Sequence, residues 1–147
     1  MKRILRSAIV EHGAQELYAL VEDIESYPRF LPWCLETRVH ERAQALTRAT
    51  LTVGMRGLRQ SFTTQNANRP GEAIDLKLLE GPFRRFAAAW RFKALSARAS
   101  RIEFSLECDF ASPAAARLLE PLFERIANTM VDAFTRRADE VYGENRG

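Results

Sequence analysis

Few residues in this chain can do chemistry unaided. It has two cysteines, Cys34 and Cys108, and two histidines, His12 and His40. Two cysteines cannot make a disulfide framework, and such sparing use of thiols fits a reducing cytoplasm. Nothing cation-rich or histidine-paired surrounds Cys34 in the sequence, so it reads as a small hydrophobe. His12 abuts the glycine of a turn and His40 falls on a presumptive strand, and spacing foretells a partner for neither. There is no Gly-x-Ser-x-Gly elbow, no metal-spaced His/Cys set and no phosphate-cradling glycine loop. Glu22, Asp23 and Glu25 cluster at a helix end, where exposed carboxylates are ordinary. Together these absences disfavour an enzyme.

Long apolar runs are missing too. No stretch approaches the ~18 residues a membrane span needs. The opening Met1-Lys2-Arg3 is followed by Arg6, Ser7 and Glu11, which break the apolar segment of an export signal. A cytoplasmic protein is expected. Charge of one sign is also scarce: the net is +3, with a sequence pI near 9.2. Arg84, Arg85, Arg91, Lys93, Arg98, Arg101, Arg136 and Arg137 are interleaved with Glu103, Glu107, Asp109, Asp132 and Asp139. That balance admits an anionic partner, RNA or an acidic membrane surface, without demanding one.

Hydrophobic residues make up 46% of the 147, enough for one globular domain spanning 1–147. Ile4 to Glu11 reads as a strand. After Gly13, Leu17, Leu20, Val21 and Ile24 recur at helical spacing, ending near Tyr27-Pro28 because a residue before proline leaves the helical region. Pro32 keeps Arg29 to Trp33 irregular. From Leu35 the period changes to two, with Leu51, Val53, Met55; Ile74, Leu76, Leu78; Phe86, Ala88, Trp90, Phe92; and Ile102, Phe104, Leu106, Cys108, Phe110 on one face. Gly57, Pro70-Gly71 and Ser96 to Ser100 supply turns.

The last segment is a helix capped by Ser112 with Pro113 in its first turn. Its apolar stripe runs from Leu118 to Val141, with Pro121 predicted to kink it or to set off Leu118–Glu120 as a separate turn. A sheet with one apolar face and a helix with one apolar stripe are expected to cover each other. The fold class is therefore α+β: a curved antiparallel sheet wrapped around a long C-terminal helix, with one or two short helices after the first strand.

Three motifs in this order resemble the helix-grip (START-like) superfamily, and within it the coenzyme Q-binding protein and ribosome association toxin family. They are Tyr27-Pro28-Arg29-Phe30-Leu31-Pro32-Trp33-Cys34, Gly81-Pro82-Phe83-Arg84 leading to Trp90-Arg91-Phe92, and Met130-Val131-Asp132-Ala133-Phe134 with Arg136-Arg137-Ala138. Phe62-Thr63-Thr64 adds to them. The chain departs from its relatives at Ala88, where many have glycine, and at Gln65, where arginine is common. The resemblance implies a helix-grip fold with a tunnel between sheet and helix. It implies an apolar ligand there, ubiquinone or a similar polyprenyl lipid, in support of respiratory quinone function, with no other cofactor. Phe30, Leu31, Trp33, Phe62, Leu78, Pro82, Phe83, Trp90, Phe92, Phe104, Phe123, Met130 and Phe134 are the expected ligand-binding residues. Tyr27 to Trp33 reads equally well as a lid over the mouth or as a plug of plain core. The resemblance offers two alternatives. One is a ribosome association toxin that binds the large ribosomal subunit and blocks subunit joining. The other is a polyketide cyclase-like enzyme, which would need a titratable or polar group deep in the pocket. A peripheral contact with the inner membrane also belongs to this expectation. Ligand binding is the favoured reading, because the aromatic motifs are stronger signals than the diluted charge.

Overall fold

The period-two runs become strands of a single antiparallel sheet. The computed structural model describes residues 2–143, so the expected domain, 1–147, extends past the described residues at both ends. The strands are β1 (Lys2–Val10), β2 (Cys34–Ala43), β3 (Leu46–Met55), β4 (Leu58–Arg69), β5 (Ala73–Glu80), β6 (Phe83–Ser96) and β7 (Ala99–Phe110). Their spatial order is β1-β7-β6-β5-β4-β3-β2. Every neighbour in that order is consecutive in sequence except β1, which returns to pair along β7 from Lys2 opposite Cys108 to Val10 opposite Ser100. Alternation is cleanest on β7, where Ile102, Phe104, Leu106, Cys108 and Phe110 are all buried. One face of the sheet is therefore apolar and must be covered.

The 30-residue helix α2 (Pro113–Tyr142) covers it. The Ser112 side chain accepts a hydrogen bond from the Ala115 amide at 3.1 Å, so one orphan donor of the first turn is satisfied. Leu119, Leu122, Phe123, Ile126, Ala127, Met130, Val131, Phe134 and Ala138 form the buried stripe. Leu118 and Val141, expected to bound that stripe, are instead exposed, at 61% and 48%. Leu118 is one residue, about 100°, around from Leu119, and Val141 falls in the last turn. The helix also runs unbroken through Pro121, so no separate turn forms at Leu118–Glu120. Proline costs one backbone bond there, and the packed face on either side holds the axis together.

Between β1 and β2 lie two short helices. The α-helix α1 (Ala14–Glu22) stops earlier than Tyr27-Pro28, because Asp23 adopts φ −81° and ψ 66°. A 3-10 turn over Ile24–Arg29 follows and carries Pro28. The two histidines have partners that spacing did not foretell. His12, buried, meets Asp139 at 2.7 Å across to α2, and His40 meets Thr50 at 2.7 Å on the outer face. The turn between β3 and β4 places both Arg56 (φ 54°) and Gly57 (φ 85°) in the left-handed region, as a two-residue hairpin of the I′ kind requires. Among the described residues no helix is long and apolar enough to cross a membrane.

Arg42 at the end of β2 fastens the short helices to the sheet. Its guanidinium donates to both Glu25 oxygens, at 2.7 and 2.9 Å, to a Glu22 carboxylate oxygen at 2.9 Å and to the Glu22 carbonyl at 2.9 Å. The hydrogen bonds from Arg42 hold the Glu25 carboxyl below its ordinary range. A carboxylate whose folded pKa is depressed contributes stability above its unfolded value, and that contribution disappears as pH falls through the folded pKa. Arg42→Ala should therefore lose about 1 kcal/mol at neutral pH, a figure kept small because both partners are partly exposed. Urea midpoints of the two proteins should draw together as pH falls below the ordinary glutamate range and through the depressed pKa of Glu25. A gap that stays the same at low pH would show that Arg42 acts through packing and not through the carboxylates.

Candidate functional site

Where the sheet bends away from α2, the two apolar surfaces leave a gap. The cavity has a volume of about 70 Å3 and is lined from all sides: Ile24 and Tyr27 from the 3-10 turn, Trp33 from the loop, Leu51 from β3, Phe62, Thr64 and Asn66 from β4, Leu76 from β5, Phe86, Ala88 and Trp90 from β6, Phe104 and Leu106 from β7, and Ile126 and Met130 from α2. That is room for roughly five or six waters or one small ring. It falls short of the several hundred Å3 that drug-sized ligands occupy. Ala88, where relatives often carry glycine, puts a methyl group into this lining.

The cavity has one polar corner. β4 turns Phe62, Thr64, Asn66 and Asn68 to the inside, so its inner face is polar where the other strands are apolar. Thr64 Oγ1 donates to Asn66 Oδ1 at 2.8 Å. Asn66 is 6% exposed. Asn68 lies one step along and belongs to a different network: its Nδ2 donates to Thr47 Oγ1 at 3.0 Å, and Thr47 donates to Glu22 at 3.0 Å. The only ionisable side chain in the lining is Tyr27. Burial pushes its phenol pKa far up, and its hydroxyl donates to the Val21 carbonyl. Both thiols are buried, and desolvation pushes each up to about 11, so they remain protonated near neutrality. Among the described residues no cluster of three His, Cys, Asp or Glu could hold a metal ion.

Trp33 is 4% exposed and forms a wall common to the cavity and two surface depressions. One, of about 230 Å3, is lined by Phe30, Pro32, Trp33, Arg125, Thr129, Ala133, Arg136, Arg137 and Glu140. The other, of about 260 Å3, adjoins it and adds Gly54, Met55 and Arg56. Phe30 closes the inner end of the first. Its ring lies edge-on to Phe134 at 5.1 Å, and the Arg137 guanidinium covers it at 5.0 Å.

The residues expected to bind ligand thus divide. Trp33, Phe62, Trp90, Phe104 and Met130 meet in the cavity, while Phe30 and Trp33 face the groove. Leu31, Phe92, Phe123 and Phe134 are buried in the surrounding core, outside the cavity lining. Phe83 packs among Phe62, Phe86, Phe110 and Phe123, with Pro82 and Leu78 near it at the β5–β6 turn and outside the lining. Thr64 and Asn66 escaped the sequence reading as a polar corner, although their two-residue spacing from Phe62 carries the signal. Of the surface arginines singled out, Arg91 pairs with Asp75 at 2.8 Å, Arg84 lines a depression with Lys2 and the carboxylates Asp109 and Glu120, and Arg136 and Arg137 line one with Arg125. Arg56 and Arg125 were not foreseen there, since a hairpin tip and a helix position meet only after folding.

Comparison with known proteins agrees with this architecture. The family described as polyketide cyclase / dehydrase and lipid transport matches residues 10–135. Ribosome association toxin RatA of Pseudomonas aeruginosa is 46% identical over 95% of this chain and 97% of its own length. RatA of Escherichia coli is 38% identical over 97% of this chain and 90% of its own. More distant is the mitochondrial coenzyme Q-binding protein COQ10 homolog B of Xenopus laevis, 26% identical over 93% of this chain and 58% of that protein. Among solved structures, an 18 kDa protein of Caulobacter crescentus superposes with a TM-score of 0.75 at 30% identity, over 98% of this chain and all of that one. The Zhui aromatase/cyclase of Streptomyces reaches 0.82 at 17% identity, over 95% and 94%, a likeness of fold alone. The chain belongs to the polyketide cyclase / dehydrase and lipid transport family, and within it to the coenzyme Q-binding protein and ribosome association toxin family.

Proposed function

We propose that this protein is a ribosome-association factor: it binds the large ribosomal subunit and hinders subunit joining. The observation that carries this reading is the 46% identity, along nearly the full length of both chains, to a protein named for ribosome association. The geometry agrees with it in one respect that alters the ranking drawn from sequence. A cavity of about 70 Å3 is too small for a polyprenyl chain, whereas the arginine-lined groove beside it offers about 230 Å3. Binding fits better than catalysis. The cavity's one ionisable group is a phenol held protonated by burial and already donating to backbone, which leaves no acid–base pair in place for a cyclisation. Sedimentation of ribosomes with added protein checks the reading. The protein should migrate with the large subunit, and the fraction of joined ribosomes should fall as it is added. A protein that stays at the top of the gradient and leaves joined ribosomes intact would end it.

A second reading is favoured by the polar corner. The Asn66 amide, beside Thr64 in an otherwise largely apolar pocket, suits a small ring bearing a carbonyl or hydroxyl oxygen, such as a quinone head whose tail leaves past Trp33 once the loop moves. The chain's two tryptophans, Trp33 and Trp90, both line that pocket, so intrinsic fluorescence reports on its contents. Titration with a short-chain ubiquinone should quench them saturably. Asn66→Leu should weaken the binding about tenfold, the worth of one buried hydrogen bond together with the ligand oxygen left unpaired. Absence of saturable quenching, or equal affinity in the variant, would count against this second role.

A further inference from the structure

Two buried N–H groups in the wall of the surface groove have nothing to donate to. Trp33 Nε1 and Arg137 Nε are both inaccessible to solvent and, among the described residues, without a hydrogen-bond acceptor. Trp33 is 96% buried, taking its 4% exposure from the whole. A buried donor left unpaired costs about 1–3 kcal/mol, and a folded chain rarely leaves two in one place. Both residues line the same depression.

The charge around them is one-sided. Arg125, Arg136 and Arg137 line the groove and Arg56 lines its continuation, against a single carboxylate, Glu140. Glu140 lies 3.6 Å from Arg137 Nη1 and is itself 64% exposed, so it neutralises at most one of the four. Among the described residues no carboxylate pairs with Arg56, Arg125 or Arg136, so their charge is unneutralised in the groove. Arg56 is also the only non-glycine residue with positive φ among those described. The two-residue turn imposes that conformation and so holds the Arg56 cation at the groove's far end.

We propose that this groove is a phosphate-binding site for an RNA backbone, with Trp33 and Arg137 shifting to turn their buried N–H groups onto one phosphate and Arg125, Arg136 and Arg56 following the strand on either side. Arginine suits this task because its planar fork matches phosphate oxygens. The exposed Pro32 in the same lining offers apolar surface to an unstacked base. The inference deepens the ribosome reading and rests on it for its biological setting, but its chemistry can be tested separately.

The test uses a labelled single-stranded RNA of mixed sequence, purified large subunits, and vesicles containing phosphatidylglycerol. Wild-type protein should bind the RNA with an affinity that falls steeply with salt. Arg125→Ala/Arg136→Ala should lower the steepness of log K against log salt by roughly 1.4 and weaken binding at least tenfold at ~0.1 M salt. Trp33→Phe keeps an aromatic ring and removes the N–H together with the rest of the pyrrole ring, and it should weaken binding several-fold. Arg117→Ala, exposed on α2 away from the groove, should change nothing beyond a small uniform loss. RNA binding that is absent, or that ignores the double variant, overturns the site. So does groove-dependent binding to the vesicles with none to RNA, which would make it a lipid headgroup site. If large subunits retain wild-type protein and the double variant equally, the ribosome reading stands and this site falls. If RNA binding depends on the groove while large subunits retain neither protein, the site stands and the ribosome reading falls.

Discussion

Phe134 has no exposed surface, and three other rings lean on it edge-first: Tyr27 at 5.5 Å, Phe30 at 5.1 Å and Trp90 at 5.3 Å. These rings come from the 3-10 turn, the loop before β2, the middle of β6 and the helix α2, so one contact fixes four segments far apart in sequence. Edge-to-face packing has a preferred geometry as well as a large buried area. It therefore sets where the loop lies, and with it where Trp33 stands. Both the cavity and the groove take their shape from that placement. Removing the Phe134 ring would free the loop before it disturbed the sheet, because the strands also hold one another by backbone bonds.

The consequence is a protein with two concave features separated by one indole. Inside, the space is apolar except for Thr64 and Asn66; outside, it is lined by arginines around two unanswered donors. The same side chain, Trp33, serves as a wall to both. Any ligand that pushed it from the inside would alter the groove, and any anion that drew its N–H outward would alter the cavity. Such coupling is a property of close-packed walls, which shift between discrete arrangements and do not stretch.

Much of the fold was legible because its signals are local and periodic. The alternation in β7 and β6 and the three- and four-residue stripe of α2 need only the geometry of strand and helix to be read. The errors have equally local causes. Leu118 and Val141 are apolar, and a pattern of hydrophobicity alone cannot say where a helix leaves the sheet that covers it. Asp23 ended α1 early through a backbone choice that no periodicity marks. Of the expected site residues, those on β6, β7 and α2 whose side chains point at the bend in the sheet meet in the cavity. Phe83, Phe92 and Phe123 share their chemistry and their alternation, but lie beyond the bend and fill ordinary core.

The sequence by itself determined that one apolar sheet face and one apolar helix stripe had to meet, since neither can remain in water. It also determined the order of the elements and the place of the aromatic loop. Only the tertiary structure decided that the two surfaces stop short of each other over about 70 Å3, that β4 turns an asparagine into that gap, and that Arg56 from a hairpin tip joins Arg125, Arg136 and Arg137 from a helix. Volumes and clusters of charge depend on how distant segments curve toward one another. A one-dimensional pattern carries the direction of each side chain and not the distance to its neighbour.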